Sequence, residues 1–483
     1  MRIYLLNPPF KKNFVRCGRW QGVAARGGTL YYPIWLAYAT GLLEKEGHTV
    51  RLIDAIARKW ETEQVTADAK QFHPDIIVVD TNFSSLKNDV AIASSLKSKT
   101  GAVTVIVGPP ASQFAEDILN QGIDIVARFE FDLTLRELAF SEQDLKYPAS
   151  IKGISYKQVG KIIHNPPREF STQKDLDEIP FVSQVYKKHL NPKDYFLNHA
   201  FYPMVQIITS RGCPNRCTFC SWPETLTGRK YRMRSVDNIV AEFEYIVKDL
   251  PEIKEIFIED DCFTINKPHV MEFCSRIKER GIRINWGCQA RATLDYETMV
   301  AMKEAGCRLL DVGYESGSDE ILKNIRKGIT DDQLLEFTKN AKRAKLKILA
   351  DFVFGFPGET DVTIRKTIDF IKEIKPDLLQ IAMATPIPGT EFYSWCKNNN
   401  YLVYDDLQES LDDQGYQKCI ISYPGLSNSH IEQCVNQEIK RFYFSMYFAI
   451  ITIRTLFHKN RINEILLLSK SAKSFCNFIG RTK

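Results

Sequence analysis

"VQIITSRGCPNRCTFC", Val205 to Cys220, joins a short β-branched run to three cysteines packed into eight positions. The run reads as a strand, and Cys213, Cys217 and Cys220, spaced C-x3-C-x2-C, stand on the loop at its carboxyl end. Thiolates this close are metal ligands before they are anything else. A structural zinc site wants a fourth ligand and a matching second pair, yet the eight histidines are scattered and the next cysteine is Cys262. A cube of four irons and four sulfides on three cysteines leaves one iron open to a further ligand.

Outward from that loop the chain alternates strand and helix. Strands are expected at "EIFIED", "RINWGCQA", "LLDVGYE", "ILADFVFGF" and "LLQIAMA", with amphipathic helices over Asp237–Leu250, Lys267–Arg280, Asp331–Ala344 and Asp361–Ile374. Six such units predict an open barrel with its chemistry at the strand ends. Upstream, "RIYLLN", "TVRLID", "DIIVVD", "AVTVIVG" and "DIVARF" predict a parallel sheet covered on both faces. Ligands of such sheets bind at the strands' carboxyl ends. Those ends carry Asn7, Pro8 and Pro9, then Thr81, Ser84 and Ser85, then Gly108 and Ser112. The expected order is a doubly wound α/β domain over 1–145, a connector over 146–200 with a hairpin, the barrel over 201–405 and a helical region over 406–483.

Bulk properties narrow the function. With 64 basic and 59 acidic residues the net charge is +5, too small for nucleic-acid binding unless concentrated. It is concentrated: 441–483 holds eight Lys or Arg and one acid, Glu464, and "RFYFSMYFAIITIRTLFHK" within it is aromatic. Its apolar run is shorter than a membrane-spanning helix, so either an interfacial helix on an anionic surface or a helix packed on the barrel is expected. Dispersed cysteines predict buried thiols in a reducing compartment, and "MRIYLLNPPF" lacks the features of a signal peptide, so a cytoplasmic location is expected.

The C-x3-C-x-aromatic-C pattern, with Phe219 before the last cysteine, is the hallmark of the radical SAM superfamily. Ser210 to about Asp406 resembles the subgroup of anaerobic magnesium-protoporphyrin ester cyclases and hopanoid-biosynthesis radical SAM proteins, through "SRGCPNRCTFC", "EDDCFT", "CQARAT", "VGYESGSDEIL", "GFPGET" and "PIPGTEFY". The resemblance implies a [4Fe-4S] cluster on Cys213, Cys217 and Cys220 whose open iron chelates S-adenosylmethionine (SAM). It also implies SAM contacts at Phe219, at Glu259, Asp260 and Asp261, at Gln289 and Arg291, at Glu315, and at the turn Gly355, Pro357, Gly358 and Glu359. Only Cys17 precedes Cys213, which argues against the related methylthiotransferases and their second cysteine set.

In the same subgroup a doubly wound N-terminal domain binds cobalamin, which assigns that role to Asn7, Pro8, Pro9, Thr81, Ser84, Ser85, Gly108 and Ser112. The pattern is incomplete. No D-x-H-x-x-G motif is present, Pro110 stands where a histidine is common, and "ARFEFD", with Phe129 and Phe131, replaces a glycine-rich turn. The implied function is radical chemistry in anaerobic biosynthesis, by C-methylation, cyclisation or rearrangement of a lipophilic small molecule. A one-electron donor such as flavodoxin or ferredoxin is implied too. The opposing reading is a non-catalytic iron-sulfur or zinc module.

Overall fold

A computed structural model describes residues 1–17, 21–140, 148–404, 406–455 and 461–479. The boundary expected at 145–146, position 405, residues 456–460 of the tail and the side chain of Cys476 lie outside this description.

The first sheet runs in the order Thr49–Asp54, Arg2–Asn7, Ile76–Asp80, Val103–Val107 and Ile125–Ala127, all parallel. The order reverses between Arg2–Asn7 and Ile76–Asp80, which opens a crevice at their carboxyl ends. The hairpin expected in the connector forms from Ile154–Gln158 and Lys161–His164. It adds to this sheet, because Ile154–Gln158 pairs antiparallel with Ile125–Ala127.

The second sheet contains six parallel strands in sequence order: Met204–Ile207, Glu255–Ile258, Asn285–Ala290, Cys307–Glu315, Lys347–Phe354 and Leu378–Met383. The first and last do not pair, so the barrel is open. Its helices begin where short polar side chains satisfy orphan amides: Ser235 accepts from Asn238 N–H, and Thr330 and Thr360 form reciprocal boxes with Gln333 and Thr363. Trp286, fully buried, fills the space beneath Lys267–Glu279 with Phe263 and Phe273, its indole N–H donating to Ala305 O at 2.8 Å.

The two halves are clamped by charge and by aromatic packing. Arg211 on the cluster-side loop bonds Asp132 at 2.5 Å, Arg232 bonds Glu130 at 2.7 Å, and Tyr32 is stacked between Tyr186 and Tyr195. These contacts face the carboxyl ends of both sheets toward each other.

Among the described residues no helix is long and apolar enough to cross a membrane. The tail helix Arg461–Ile479 packs on the barrel: Leu467 is buried with Phe196 and Phe201, and Glu464 pairs with Lys347. Phe444, Met446, Ile450 and Ile453 are exposed on the preceding helical stretch.

Candidate active site

The three thiols sit on a loop fixed at both ends. Ser210–Arg211 pairs antiparallel with Arg232–Met233, and Gly212 N–H donates to Asp261 Oδ2 at 2.7 Å. Gly212 has φ +85°, and a Cβ there would lie 2.2 Å from Lys230 O, so only glycine fits the turn. Downstream, Thr218 N–H donates to Ile325 O and Phe392 N–H to Thr218 O. Cys213, Cys217 and Cys220 are all half-buried and line one cavity of about 570 Å³. Asn215 Nδ2 donates to Cys213 Sγ at 3.2 Å.

Most expected SAM contacts face the same cavity: Phe219, Glu259, Asp261, Gln289, Arg291 and Glu315. Glu259 accepts from Gln206 Nε2 at 2.9 Å, and Phe219 packs on Phe356 with centroids 4.7 Å apart. Glu315 stands at φ +66° beside a register shift in its strand, a strained position of the kind that collects at functional sites. Its Oε1 accepts from Lys327 Nζ at 2.7 Å, and its buried Oε2 has no hydrogen-bond partner among the described residues. Burial works against the charge on Lys327, but Glu315 outweighs it and holds the ammonium above its usual range.

Members of two of the expected sets stand off the cavity lining. Asp260 does not line the cavity; its carboxylate is fully buried and accepts from Thr209 N–H, Thr209 Oγ1 and Ser210 Oγ, each at 2.6 Å. It holds the loop that carries the thiols. At the fifth-strand turn the cavity is faced by Phe356, and not by Gly355, Pro357, Gly358 or Glu359. Glu359 closes its own turn, accepting from Thr363 Oγ1 at 2.8 Å and Gly355 N–H at 3.2 Å.

The residues expected to hold cobalamin are largely committed to one another around Arg16. Arg16 donates to Asp89 at 2.9 Å, to Asn7 Oδ1, to Pro8 O at 3.1 Å and to Ser85 Oγ at 3.3 Å. Asn88 donates to Pro9 O, and Thr81 and Ser85 donate to Asp89. Ser112 Oγ donates to Thr225 O at 2.8 Å, and Gly108, at φ +103°, lies against Thr81 O. Ser84 differs: its fully buried Oγ has no partner among the described residues.

Sequence reading missed Arg16, Lys327 and two acids of the barrel lumen, Asp311 and Asp351. A signal for the acids was present, since each interrupts an otherwise apolar strand.

The Radical SAM superfamily model matches residues 207–371, and the B12 binding domain model matches 20–139. An uncharacterized methyltransferase of Pyrococcus horikoshii is 33% identical over 83% of this chain and 84% of its own length. The chain belongs to the cobalamin-binding radical SAM enzyme family. The anaerobic magnesium-protoporphyrin IX monomethyl ester cyclase of Cereibacter sphaeroides is 25% identical over 75% of this chain and 60% of its own length. The structure of the radical SAM methyltransferase TsrM from Kitasatospora setae, with cobalamin and a [4Fe-4S] cluster bound, shares the fold at TM-score 0.71, with 15% identity, 98% of this chain and 99% of that one covered.

The donor set fits what the family carries. Among the described residues no three Cys, His, Asp or Glu side chains converge on a point that could hold a lone metal ion. Three thiols lining one cavity without meeting at one point suit a cluster, whose irons are held at separate corners. For SAM, the unsatisfied Glu315 oxygen and the Arg291 guanidinium supply an acceptor and a cation on the cavity wall. For cobalamin, the buried Ser84 Oγ, without a hydrogen-bond partner among the described residues, is available to a ligand.

The family's fifth-strand turn gives this chain a pH signature. Burial pushes the Glu359 carboxyl up to about 7, against the bonds from Thr363 and the Gly355 and Phe356 amides. The folded state therefore keeps this proton longer than the unfolded chain does. Its contribution to stability falls as pH rises from about 4.5 to about 7. Glu359→Gln is expected to gain Tm over the parent progressively across that interval in scanning calorimetry; a constant offset would refute the assignment.

Proposed function

We propose that this chain is a cobalamin-dependent radical SAM methyltransferase acting on carbon of a lipophilic metabolite. What carries the reading is the convergence of Cys213, Cys217 and Cys220 with Glu259, Arg291 and Glu315 on one mainly apolar cavity. When bound, the cluster with SAM supplies a 5′-deoxyadenosyl radical and cobalamin supplies a methyl carrier. The chain's own residues bind, orient and keep water out. Asn215 donates to a cluster thiol, Arg291 offers a guanidinium to the SAM carboxylate, and Lys327 holds Glu315 in place. Val23 and Arg26 from the N-terminal half, and Leu467 and Leu468 from the tail helix, wall the cavity against solvent.

Methylation is preferred to cyclisation because the methyltransferase of Pyrococcus horikoshii is the better-covered relative; the cyclase likeness keeps cyclisation or rearrangement as the second reading. An external one-electron donor such as flavodoxin or ferredoxin is part of the proposal. So is peripheral membrane contact through the exposed Phe444, Met446, Ile450 and Ile453.

The test is oxygen-free reconstitution with iron, sulfide, cobalamin and SAM carrying a deuterated methyl, supplied with dithionite and a lipid and pigment extract. Release of S-adenosylhomocysteine and 5′-deoxyadenosine with a labelled extract component is expected. Unlabelled product with 5′-deoxyadenosine alone would move the assignment to cyclisation or rearrangement, and a full cluster that leaves SAM intact would end it. Failure of the same protein to float with anionic vesicles removes the membrane contact only.

A further inference from the structure

The cavity that begins at the cysteine loop runs the length of the barrel lumen. Its wall includes Glu315, at the carboxyl end of Cys307–Glu315, and Arg308, at the other end of the same strand; Lys347 and Leu378, which open the two following strands, also line it. Along an extended strand Arg308 stands about 20 Å from Glu315, so the foot of the cavity is far from the level at which SAM is expected.

Two segments outside the barrel build that foot. The first precedes the opening strand. Arg308 bonds Glu255 through Nε at 2.9 Å and Nη2 at 3.0 Å and also donates to His199 O, while Glu255 accepts from Phe201 N–H at 2.8 Å. These bonds hold His199 at the barrel mouth, its ring on Phe257 with centroids 4.7 Å apart. The second segment is the tail helix Arg461–Ile479. Glu464, Leu467, Leu468 and Ser471 recur at helical spacing and all line the cavity, with Leu467 buried beside Phe196 and Phe201 and Glu464 paired with Lys347.

Two polar atoms of the foot are buried and unsatisfied. His199 is 4% exposed, and neither its Nε2 nor Ser471 Oγ has a hydrogen-bond partner among the described residues. The other imidazole nitrogen, Nδ1, meets Asn198 Oδ1 at 3.1 Å. An amide oxygen only accepts, so Nδ1 carries the hydrogen and Nε2 presents a lone pair. Burial, with the Arg308 charge beside it, pushes the imidazole down to about 3, so the ring stays neutral and Nε2 stays an acceptor. A buried acceptor and a buried hydroxyl left unpaired are unfavourable for folding, and a ligand that bonds both removes that cost.

One uncharged group completes both atoms. A ligand hydroxyl donates to His199 Nε2 and accepts from the Ser471 hydroxyl. An ether or a carboxylate has no hydrogen to give the imidazole. An ammonium brings a charge and further hydrogens, and Glu464, Glu255 and Asp377 at the foot are already taken by Lys347, Arg308 and the Ile348 amide.

We propose that His199 and Ser471 bind a hydroxyl at the end of the substrate remote from its reacting carbon, so that the substrate is an elongated apolar alcohol; the assignment rests on this lumen being the substrate site of the enzyme proposed above. Because Ser471 belongs to the tail helix, the tail is part of the binding site and fixes how far from the cluster the hydroxyl is held.

The test uses the full-length, cluster-loaded protein with SAM and four eight-carbon probes: 1-octanol, its isomer 1-methoxyheptane, n-octylammonium and octanoate. Titration calorimetry at pH 7 is expected to show octanol binding at least about ten-fold tighter than the ether, and tighter than either ion. His199→Leu is expected to bring octanol within about two-fold of the ether, because only the alcohol uses the imidazole lone pair. Ser471→Ala is expected to weaken both by a similar factor of about three or more and to keep the alcohol preference, because its hydroxyl donates to the oxygen of either. A parent protein that binds the ether as tightly as octanol, or prefers an ion, overturns the proposal without recourse to the variants. An alcohol preference that survives His199→Leu overturns it, as does unchanged octanol affinity in Ser471→Ala. These readouts do not depend on turnover, so loss of SAM cleavage beside a retained alcohol preference would count against the proposed methyltransferase and not against this site.

Discussion

Cys217→Ser is expected to lower 5′-deoxyadenosine formation by at least about 10³-fold, roughly 4 kcal/mol of barrier, while leaving the fold intact. A serine hydroxyl does not ionise near neutral pH and is a poor iron ligand, so the loop is left with two thiolates of three. The structural cost is small because Cys217 is half-buried on the cavity wall and its loop is held by other groups, Gly212, Thr218 and Asp260 among them. Iron and sulfide content, the cluster's visible absorption and 5′-deoxyadenosine release should fall together, with unchanged far-ultraviolet dichroism. Cys434→Ser is the control: that thiol is half-buried on the helix Asn428–Tyr443 and does not line the cavity. Parent-level cleavage by Cys217→Ser, or equal loss in the control, would remove the cysteine loop from the chemistry.

Arg16→Met is expected to cost about 3–5 kcal/mol in urea denaturation, the price of leaving a buried carboxylate unpaired. Arg16 and Asp89 have side chains 1% and 0% exposed. Asp80, nearby at the same strand ends, is already pushed up to about 7 by burial, with Arg16 the first influence opposing that rise. Loss of the guanidinium therefore destabilises several acids at once. The double variant Arg16→Met/Asp89→Met should recover only part of the loss, because the unpaired carboxylate is gone but Thr81 and Ser85 lose their acceptor. Since Asn7, Pro8 and Ser85 are held by Arg16, cobalamin retained through purification should fall in the single variant. A single variant within about 1 kcal/mol of the parent would show that the network is not what holds this edge of the sheet.

Local pattern made much of the fold legible. The helix expected over Asp361–Ile374 has those ends in the structure, because an apolar stripe of helical period follows a capping threonine, Thr360. All six barrel strands overlap the runs read from sequence, three of them starting one or two residues earlier, at Met204, Cys307 and Lys347, since strands buried on both faces carry continuous β-branched and aromatic residues. The acids fared differently. Glu259, Asp260 and Asp261 are consecutive, yet Asp260 turns into the loop backbone while Glu259 and Asp261 face the cavity. Side chains alternate along a strand, and where the strand ends decides which of the three face inward.

The cysteine spacing, the strand and helix alternation and the skewed charge of the tail belong to the sequence alone, because each follows from neighbours a few residues apart. Arg16 with Asp89, Glu315 with Lys327, and Asp311 beside Asp351 were decided only in the tertiary structure. These partners are brought together by strand register and chain crossing, and no local period records which buried charge will meet which.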